Sequence, residues 1–538
     1  MLRRVATRFS ALTAIFRFIS ILVSVFAAHS VMSQTPPVFL PVVTYDSGGF
    51  APTSVTTSDV NGDGRLDLIV TNGCSEATCI GPPPNGTVAV LLGNGDGTFK
   101  SAVSYSPGGV ASDLASVAVA DVNGDGKPDL LVAIVSANFG EGGAGVFLGN
   151  GDGTFRPMVA YDSGGMAADS IAVADVNGDG QLDLLMANAD SSTAGVLLGN
   201  GDGTFQSPLV YDAGGYLPRS IAVGDVNSDG KLDLVLASTC GNLVPCTGNF
   251  DGRISILLGN GDGTFNPPMI FDSGGYQSAS VAVADVNDDG RLDLVALNVC
   301  INSLGVVNCG TVDVLLGNGD GTFQPAVSYS NGGGGVGSVA ISDVNGDGKP
   351  DLVTVSCCGS VVGVLLGNGD GTFQPVITYN PGGAAPEALA IADVNDDGKP
   401  DVLVTNTPSN NVGVLINNTP FDTSPPVIAI SATPKILWLP TGRIVPITVS
   451  GTITDAGSGV NATTATYAVK DEYGEIQPTG AISLGPEGRY SFVVLLGASR
   501  RGSDLNGRHY KIMVRAKDNA GNVGSNTAVV TVPHRHPT

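Results

Sequence analysis

Between His29 and His509 the chain has no histidine. That absence removes Ser-His and Cys-His nucleophile pairs from most of its length, and with them a usual ligand of zinc. Positive charge is also short: Lys and Arg number 25 against 49 Asp and Glu, for a formal charge of −24 and a pI near 4.3. Proteins grip a phosphate backbone with Lys and Arg, so this balance argues against nucleic acid as a partner. Past the N-terminal segment no apolar run is long enough to cross a bilayer, so the mature chain should have no membrane span. Aromatic residues make up only 6% of the sequence while glycine reaches 76 of 538 residues, which suits many tight turns between short strands. Hydrophobic residues at 42% exclude general disorder, and the length calls for two or more domains, or a repeat array with a smaller companion.

Residues 1–33 carry Arg3, Arg4 and Arg8, an apolar run from Ile19 to Ala28, and small residues at Ala27, Ala28 and Ser33. This is the layout of a secretory signal peptide. Arg17 interrupts the hydrophobic stretch and leaves it short for a retained membrane anchor, which is the alternative. The expectation is a secreted or cell-surface protein.

What the sequence has in abundance is one nine-residue pattern. Asp121-Val-Asn123-Gly-Asp125-Gly-Lys-Pro-Asp129 sets side-chain oxygens at positions 1, 3, 5 and 9, with a glycine at position 6 where the chain turns sharply. Calcium takes about six to eight oxygen ligands, and such a loop can aim carboxylates inward while the carbonyl of position 7 adds one more. Asn, Asp and Gly also build ordinary turns, but a turn needs no further acid three residues after its glycine. The pattern occurs seven times, with Gly, Ser or Asp at position 4. The expected cofactor is Ca2+, up to seven ions, one per copy. The expected ligands are Asp59, Asn61, Asp63 and Asp67; Asp121, Asn123, Asp125 and Asp129; Asp175, Asn177, Asp179 and Asp183; Asp225, Asn227, Asp229 and Asp233. The last three sets are Asp285, Asn287, Asp289 and Asp293; Asp343, Asn345, Asp347 and Asp351; and Asp393, Asn395, Asp397 and Asp401. Seven dications would bring the formal charge from −24 to −10.

The loops recur at spacings of 62, 54, 50, 60, 58 and 50 residues, and each unit has the same parts. An alternating segment such as Ser116 to Ala120 leads into the loop. An apolar segment such as Leu130 to Val135 follows it, then a connection of variable length. A third segment, Gly145 to Leu148, closes on Gly149-Asn-Gly-Asp-Gly-Thr-Phe155, a strong hairpin signal because its central positions tolerate positive φ. A fourth, Pro157 to Tyr161, ends in Asp162-Ser-Gly-Gly165. Four short strands per unit is the signature of a propeller blade, so the fold expected over 39–417 is all-β, a seven-bladed β-propeller. The seventh unit stops without a fourth strand, and a spare fourth strand, Phe39 to Tyr45, precedes the first loop. The N-terminal strand is expected to complete the last blade and close the ring.

On these motifs the region 39–417 resembles the FG-GAP or VCBS repeat family, best known from the propellers of integrin α chains. The resemblance implies calcium at the positions named above and a role in binding or adhesion. Integrin chains keep the motif in only some blades, whereas here all seven carry it, and no integrin-type partner domain accompanies it.

Strand order sorts the connections onto two faces: metal loops and Asn-Gly-Asp-Gly hairpins on one, the 2-3 and 4-1 connections on the other. The second face varies from unit to unit, and binding residues favour variable loops on a rigid scaffold. Phe50, Met166, Tyr216 and Tyr276 follow the paired glycines there and are ligand-face candidates or, equally, plugs between blades. The non-repeating acids Asp113, Glu141, Asp169 and Glu387 lie near the same face and are expected to be mostly solvated surface groups. All eight cysteines fall in 2-3 connections. Export and an even count favour local disulfides Cys74–Cys79, Cys240–Cys246 and Cys300–Cys309. Adjacent Cys357 and Cys358 leave open a strained vicinal bridge or two thiols.

After a linker at 418–426 the pattern changes. Strand-like runs across 427–533 suggest a β-sandwich, and Asp455 to Gly459 and Lys517 to Asn522 look like segments of bacterial immunoglobulin-like or fibronectin-like surface modules. Asp455 and Asp518 read as turn residues rather than calcium ligands. The functional expectation is a monomeric calcium-binding module for a glycan or protein ligand. The alternative is an exported polysaccharide hydrolase or lyase, disfavoured because the visible acids follow the repeat and an active site should break it.

Overall fold

The computed structural model describes residues 36–75, 86–107, 112–136, 142–240, 251–300, 309–335 and 337–534. The chain divides into a unit of Met1–Pro36 and a unit of Pro37–Thr538, so the signal segment expected over 1–33 lies outside the described residues.

The second unit is all-β; among the described residues its one helical element is a three-residue 3-10 turn at Pro486–Gly488. The repeat region folds into successive four-stranded antiparallel sheets. In the second repeat the strands are Ser112–Ala120, Asp129–Ser136, Gly142–Phe147 and Val159–Asp162, in register through Val117↔Val132, Val132↔Gly145 and Gly145↔Ala160. The last repeat takes its fourth strand from the other end of the chain: Val43–Asp46 pairs with Asn411–Leu415, Val43 opposite Val414.

Burial explains the residue types along each sheet. The second strand, as in Asp183–Asn188, is buried at every position, because neighbouring sheets cover both of its faces, and so it reads as a continuous apolar run. The fourth strand is mostly exposed, as in Leu209–Asp212. Seven apolar clusters lie between neighbouring sheets, and one of them joins Val394, Leu403 and Val414 of the last repeat to Val55, Leu68 and Leu91 of the first. At the outer edge each hairpin Phe meets the fourth-strand aromatic ring of the preceding repeat edge-on, as in Tyr105–Phe155 with centroids 5.4 Å apart. Phe39 and Tyr379 make the equivalent pair, at 4.9 Å, where the two chain ends meet. Such pairs contribute about 0.5–1.5 kcal/mol each beyond their buried area.

From Val427 onward a three-stranded and a four-stranded sheet share one core that includes Ile447, Val449, Leu496, Tyr510, Ile512 and Val530. One ion pair is sealed at its edge. Arg508 is 1% and Asp471 4% exposed; Arg508 Nε donates to Asp471 Oδ1 at 2.9 Å, and its Nη2 also meets Asp471. Burial opposes the Asp471 charge, but Arg508 and the amides of Tyr473, Ile476 and Glu475 outweigh it and hold the carboxyl at about 2 instead of 3.8.

Because the folded-state value is depressed, the contribution of Asp471 to stability is complete above about pH 4 and is lost as pH falls toward 2, an effect of about 2 kcal/mol. Urea denaturation at pH 7 should show Asp471→Asn less stable by about 3 kcal/mol, since Arg508 would be left buried with Glu475 as its remaining anionic partner. The deficit should shrink between pH 4 and pH 2.

Candidate functional site

The seven aspartate loops share one hydrogen-bond scheme. In the first, Asp59 Oδ1 accepts from the amide of Asp63 at 3.1 Å and its Oδ2 from Gly64 at 2.8 Å, and in the first, third and sixth loops the position-1 Oδ1 also accepts from position 4. Asn61 Oδ1 accepts from Asp63, and Asp63 Oδ1 from Arg65. Position 4 always has positive φ, +74° at Gly62 and +59° to +60° at Ser228, Asp288 and Asp396, which is why only Gly, Ser and Asp occur there.

Position 9 differs from the rest. Asp67, Asp129, Asp183, Asp233, Asp293, Asp351 and Asp401 are completely buried. One oxygen of each accepts from the amide of position 2 and the other from the residue opening the hairpin: Asp67 from Val60 at 3.0 Å and Gly93 at 2.8 Å, Asp183 from Val176 at 2.9 Å and Gly199 at 2.8 Å. In the last repeat the second donor is Asn417, at 2.7 Å to Asp401. The sequence argument gave this acid a metal role alone; its structural role as a bracket between loop and hairpin was not seen. Burial pushes these carboxyls up against the pull of the two amides, to about 8 at Asp351 and about 6 at Asp401, and the other acids of each loop add to the rise.

A second arrangement lies at the first strands. Pairing slips by a residue between Pro52 and Ser54, Leu114 and Ser116, Ala168 and Ser170, Pro218 and Ser220, Ser278 and Ser280, and Pro386 and Leu389. A β-bulge re-aims the extra side chain. Thr53, Ala115, Asp169, Arg219, Ala279 and Glu387, one from each of six repeats, line a single cavity of about 500 Å³, and Gly337 lines it from the sixth repeat. The serine after the bulge ties neighbouring sheets: Ser170 Oγ accepts from Ile221 N and Ser338 Oγ from Leu389 N, at 3.3 and 2.9 Å.

Three of these side chains break the repeat with charge. Arg219 pairs with Asp169. Glu387 accepts from Thr407 Oγ1 at 2.7 Å. Enclosure by the cavity walls pushes Glu387 up, opposed by Thr407 and by the Arg219 charge and assisted by Asp169. Asp169 is raised in the same way, with Arg219 opposing. The bulge that gathers them has no signature in the sequence; the signal available was their departure from the repeat.

The FG-GAP-like repeat pattern matches residues 59–132, 133–186, 175–236, 244–296, 303–354 and 343–404, more than half of the sequence, and the related FG-GAP repeat matches 217–257. The chain belongs to the FG-GAP-like repeat family. No curated protein matches it. Among solved structures, the crystal structure of BBS1N in complex with ARL6DN, soaked with mercury, is similar at 13% identity over 72% of this chain and 99% of that one, with a TM-score of 0.46.

Within the FG-GAP-like repeats the expected aromatic candidates scatter. Met166 and Tyr276 are exposed, at 43% and 37%, and Phe50 and Tyr216 are half-buried. None lines the cavity of Asp169 and Glu387; Phe50 lines a separate groove with Tyr45, Phe99 and Asn410. The residues that follow them, Ala51, Ala167, Leu217 and Gln277, hold positive φ of +48° to +55°, a strained geometry for residues with a side chain. Asp113 is half-buried and raised by burial; Glu141 lies outside the described residues. Cys74 and Cys240 are disulfide-bonded, while Cys79 and Cys246 lie outside the described residues. Cys300 and Cys309 are direct cross-strand partners in backbone register. The vicinal bridge between Cys357 and Cys358 is not formed: their sulfurs are 3.6 Å apart, against about 2.05 Å for a disulfide. Beyond the repeats, Asp422, Asp455 and Asp518 bring carboxylate oxygens within 4.8 Å of one another, an approach that reading the last two as separate turn residues did not foresee.

Asp183→Ala should leave the amides of Val176 and Gly199 buried without acceptors and cost about 2–4 kcal/mol in urea denaturation with chelator present, where metal cannot contribute. Asp183→Asn, which keeps one acceptor oxygen, should lose less.

Proposed function

We propose that this chain is an exported binding or adhesion module: a closed seven-bladed propeller, held by up to seven calcium ions, that engages a glycan or protein ligand on the face opposite its metal loops. The observation that carries the binding reading is the convergence of Asp169, Arg219 and Glu387, from three repeats, in one axial cavity. Every other bulge residue there is small or neutral. The cavity wall is hydroxyl-rich and carries two acids against one base, chemistry that pairs with hydroxyl and amine donors of a ligand.

The donor chemistry of the loops suits calcium, although among the described residues only Asp422, Asp455 and Asp518 bring three carboxylates within 4.8 Å of one another. All donors are oxygens, and a buried position-9 carboxylate that accepts two amides keeps two of its roughly four lone-pair sites for a cation. Bound there, calcium would neutralise the acids of each loop, with positions 1, 3, 5 and 9 as side-chain ligands. The seven inter-sheet clusters support the blade count and the closed ring. The shared core of the two C-terminal sheets supports an immunoglobulin-like sandwich over 427–533, after a linker at 418–426. Cross-strand register supports a Cys300–Cys309 disulfide, and we assign Cys74 to Cys79 and Cys240 to Cys246. Among the described residues no helix is long and apolar enough to cross a membrane.

Chelation should lower the melting temperature by about 10 °C or more, with calcium restoring it, because each site at a hundredfold excess over its Kd adds about 2.7 kcal/mol. An unchanged melting curve would refute the metal role. On a glycan array with calcium, Arg219→Ala and Glu387→Gln should weaken binding about tenfold while the melting temperature stays put. The same three charges break the repeat and so remove the argument against a hydrolase or lyase; release of reducing sugar from plant or microbial polysaccharide without retained binding would favour that alternative.

A further inference from the structure

Six of the seven metal loops have a cover that the sixth loop lacks. The hairpin of the following repeat overlies each of the six. The amides of Gly97, Gly153, Gly203 and Gly321 donate to the position-2 carbonyls of Val394, Val60, Val122 and Val226 at 3.1–3.3 Å. A methyl on Gly263 would meet Asn177, and one on Gly371 would strike Leu316 just as one on Gly153 would strike Leu92. The sixth loop, Asp343 to Asp351, would need the hairpin of the last repeat. That repeat has none, because its third strand ends at Leu415 and its fourth is Val43–Asp46.

The chain leaving the last repeat fills the place. Asn417 Nδ2 donates to the Val344 carbonyl at 2.8 Å, the bond a hairpin glycine makes elsewhere. Phe421 lies so close to Gly346 that an added methyl would run into its ring, and the Asn519 carbonyl crowds Gly348 in the same way. Lys399 of the seventh loop stands over the Phe421 ring, 5.9 Å from its centre. The sixth loop is enclosed as a result: Asn345 is buried, whereas its six counterparts are half-exposed.

We propose that the segment from Asn417 to Asp422, together with the Asn519 turn, is the missing cap of the sixth metal loop, so that calcium at this loop and docking of the C-terminal module stabilise each other. The proposal rests on the calcium reading of the loops. Coupling of this kind is reciprocal: docking slows the loss of one ion, and that ion holds the linker down.

The test uses the full chain loaded with calcium, its ions counted by native mass spectrometry and their release followed with a fluorescent chelator. One ion should leave about tenfold more slowly than the others. Phe421→Ala should bring that ion to the common rate and open residues 418–426 to protease at calcium levels that protect the wild type; Phe421→Leu should preserve both properties. Asp343→Asn should abolish the slow phase and the protection, while Asp121→Asn should remove a fast ion and leave the linker protected. Wild-type release kinetics together with a protected linker in both Phe421→Ala and Asp343→Asn would overturn the proposal. A chain that holds no calcium would overturn the reading beneath it.

Discussion

A buried carboxylate that accepts two backbone amides is the constraint on which the repeat region depends. Asp67 and its six counterparts each fasten the second residue of an aspartate loop to the start of a hairpin in the same sheet, or to Asn417 in the last. Charge-assisted bonds of this kind contribute about 1.5–3 kcal/mol each, and losing the acceptor would strand two amides where water cannot reach them. The bracket sets where the hairpin begins, hence where its Phe meets the ring of the preceding repeat. One short-range bond pair thereby governs both the geometry of the aspartate loop and the contact between sheets. The cost is a fully desolvated acid beside two more acids of the same loop, which is why the position-9 carboxyls rise. A dication is the natural counterweight to such a cluster.

The reach of sequence reasoning follows from the physics of each feature. Four strands per repeat could be read because alternation, continuous apolar runs and Asn-Gly turns are local properties of neighbouring residues. Leu130 to Ile134 had to be covered on both faces, and it is. The bulges at Thr53, Asp169 and Arg219 could not be read in this way, since a slip in pairing depends on the partner strand and leaves the composition of the bulged strand unchanged. The candidates after the paired glycines are dispersed for a related reason. Phe50, Met166, Tyr216 and Tyr276 stand at one sequence position, yet the loops around them differ, and none of the four lines the cavity that holds Asp169 and Glu387. The repeat-breaking acids correct the reading of them as solvated surface groups: the repeat fixes what recurs, and Asp169 and Glu387, which depart from it, are enclosed in one cavity.

The same reasoning accounts for the chain ends. Pairing Val43–Asp46 with Asn411–Leu415 hydrogen-bonds two strand edges that would otherwise be exposed, and the Phe39–Tyr379 contact repeats the aromatic pair found between the other sheets. This way of joining the ends consumes the hairpin between the third and fourth strands of the last repeat. A hairpin does two jobs here, linking strands within its own sheet and covering the loop of the preceding one. The N-terminal strand replaces the first function and leaves the second undone. A chain whose last sheet borrows its fourth strand in this way must supply a cover from elsewhere or leave the sixth loop open, and the segment carrying Asn417 and Phe421 is the stretch that emerges beside it. Position in the repeat array, rather than any property of the C-terminal sheets, assigns that segment its task.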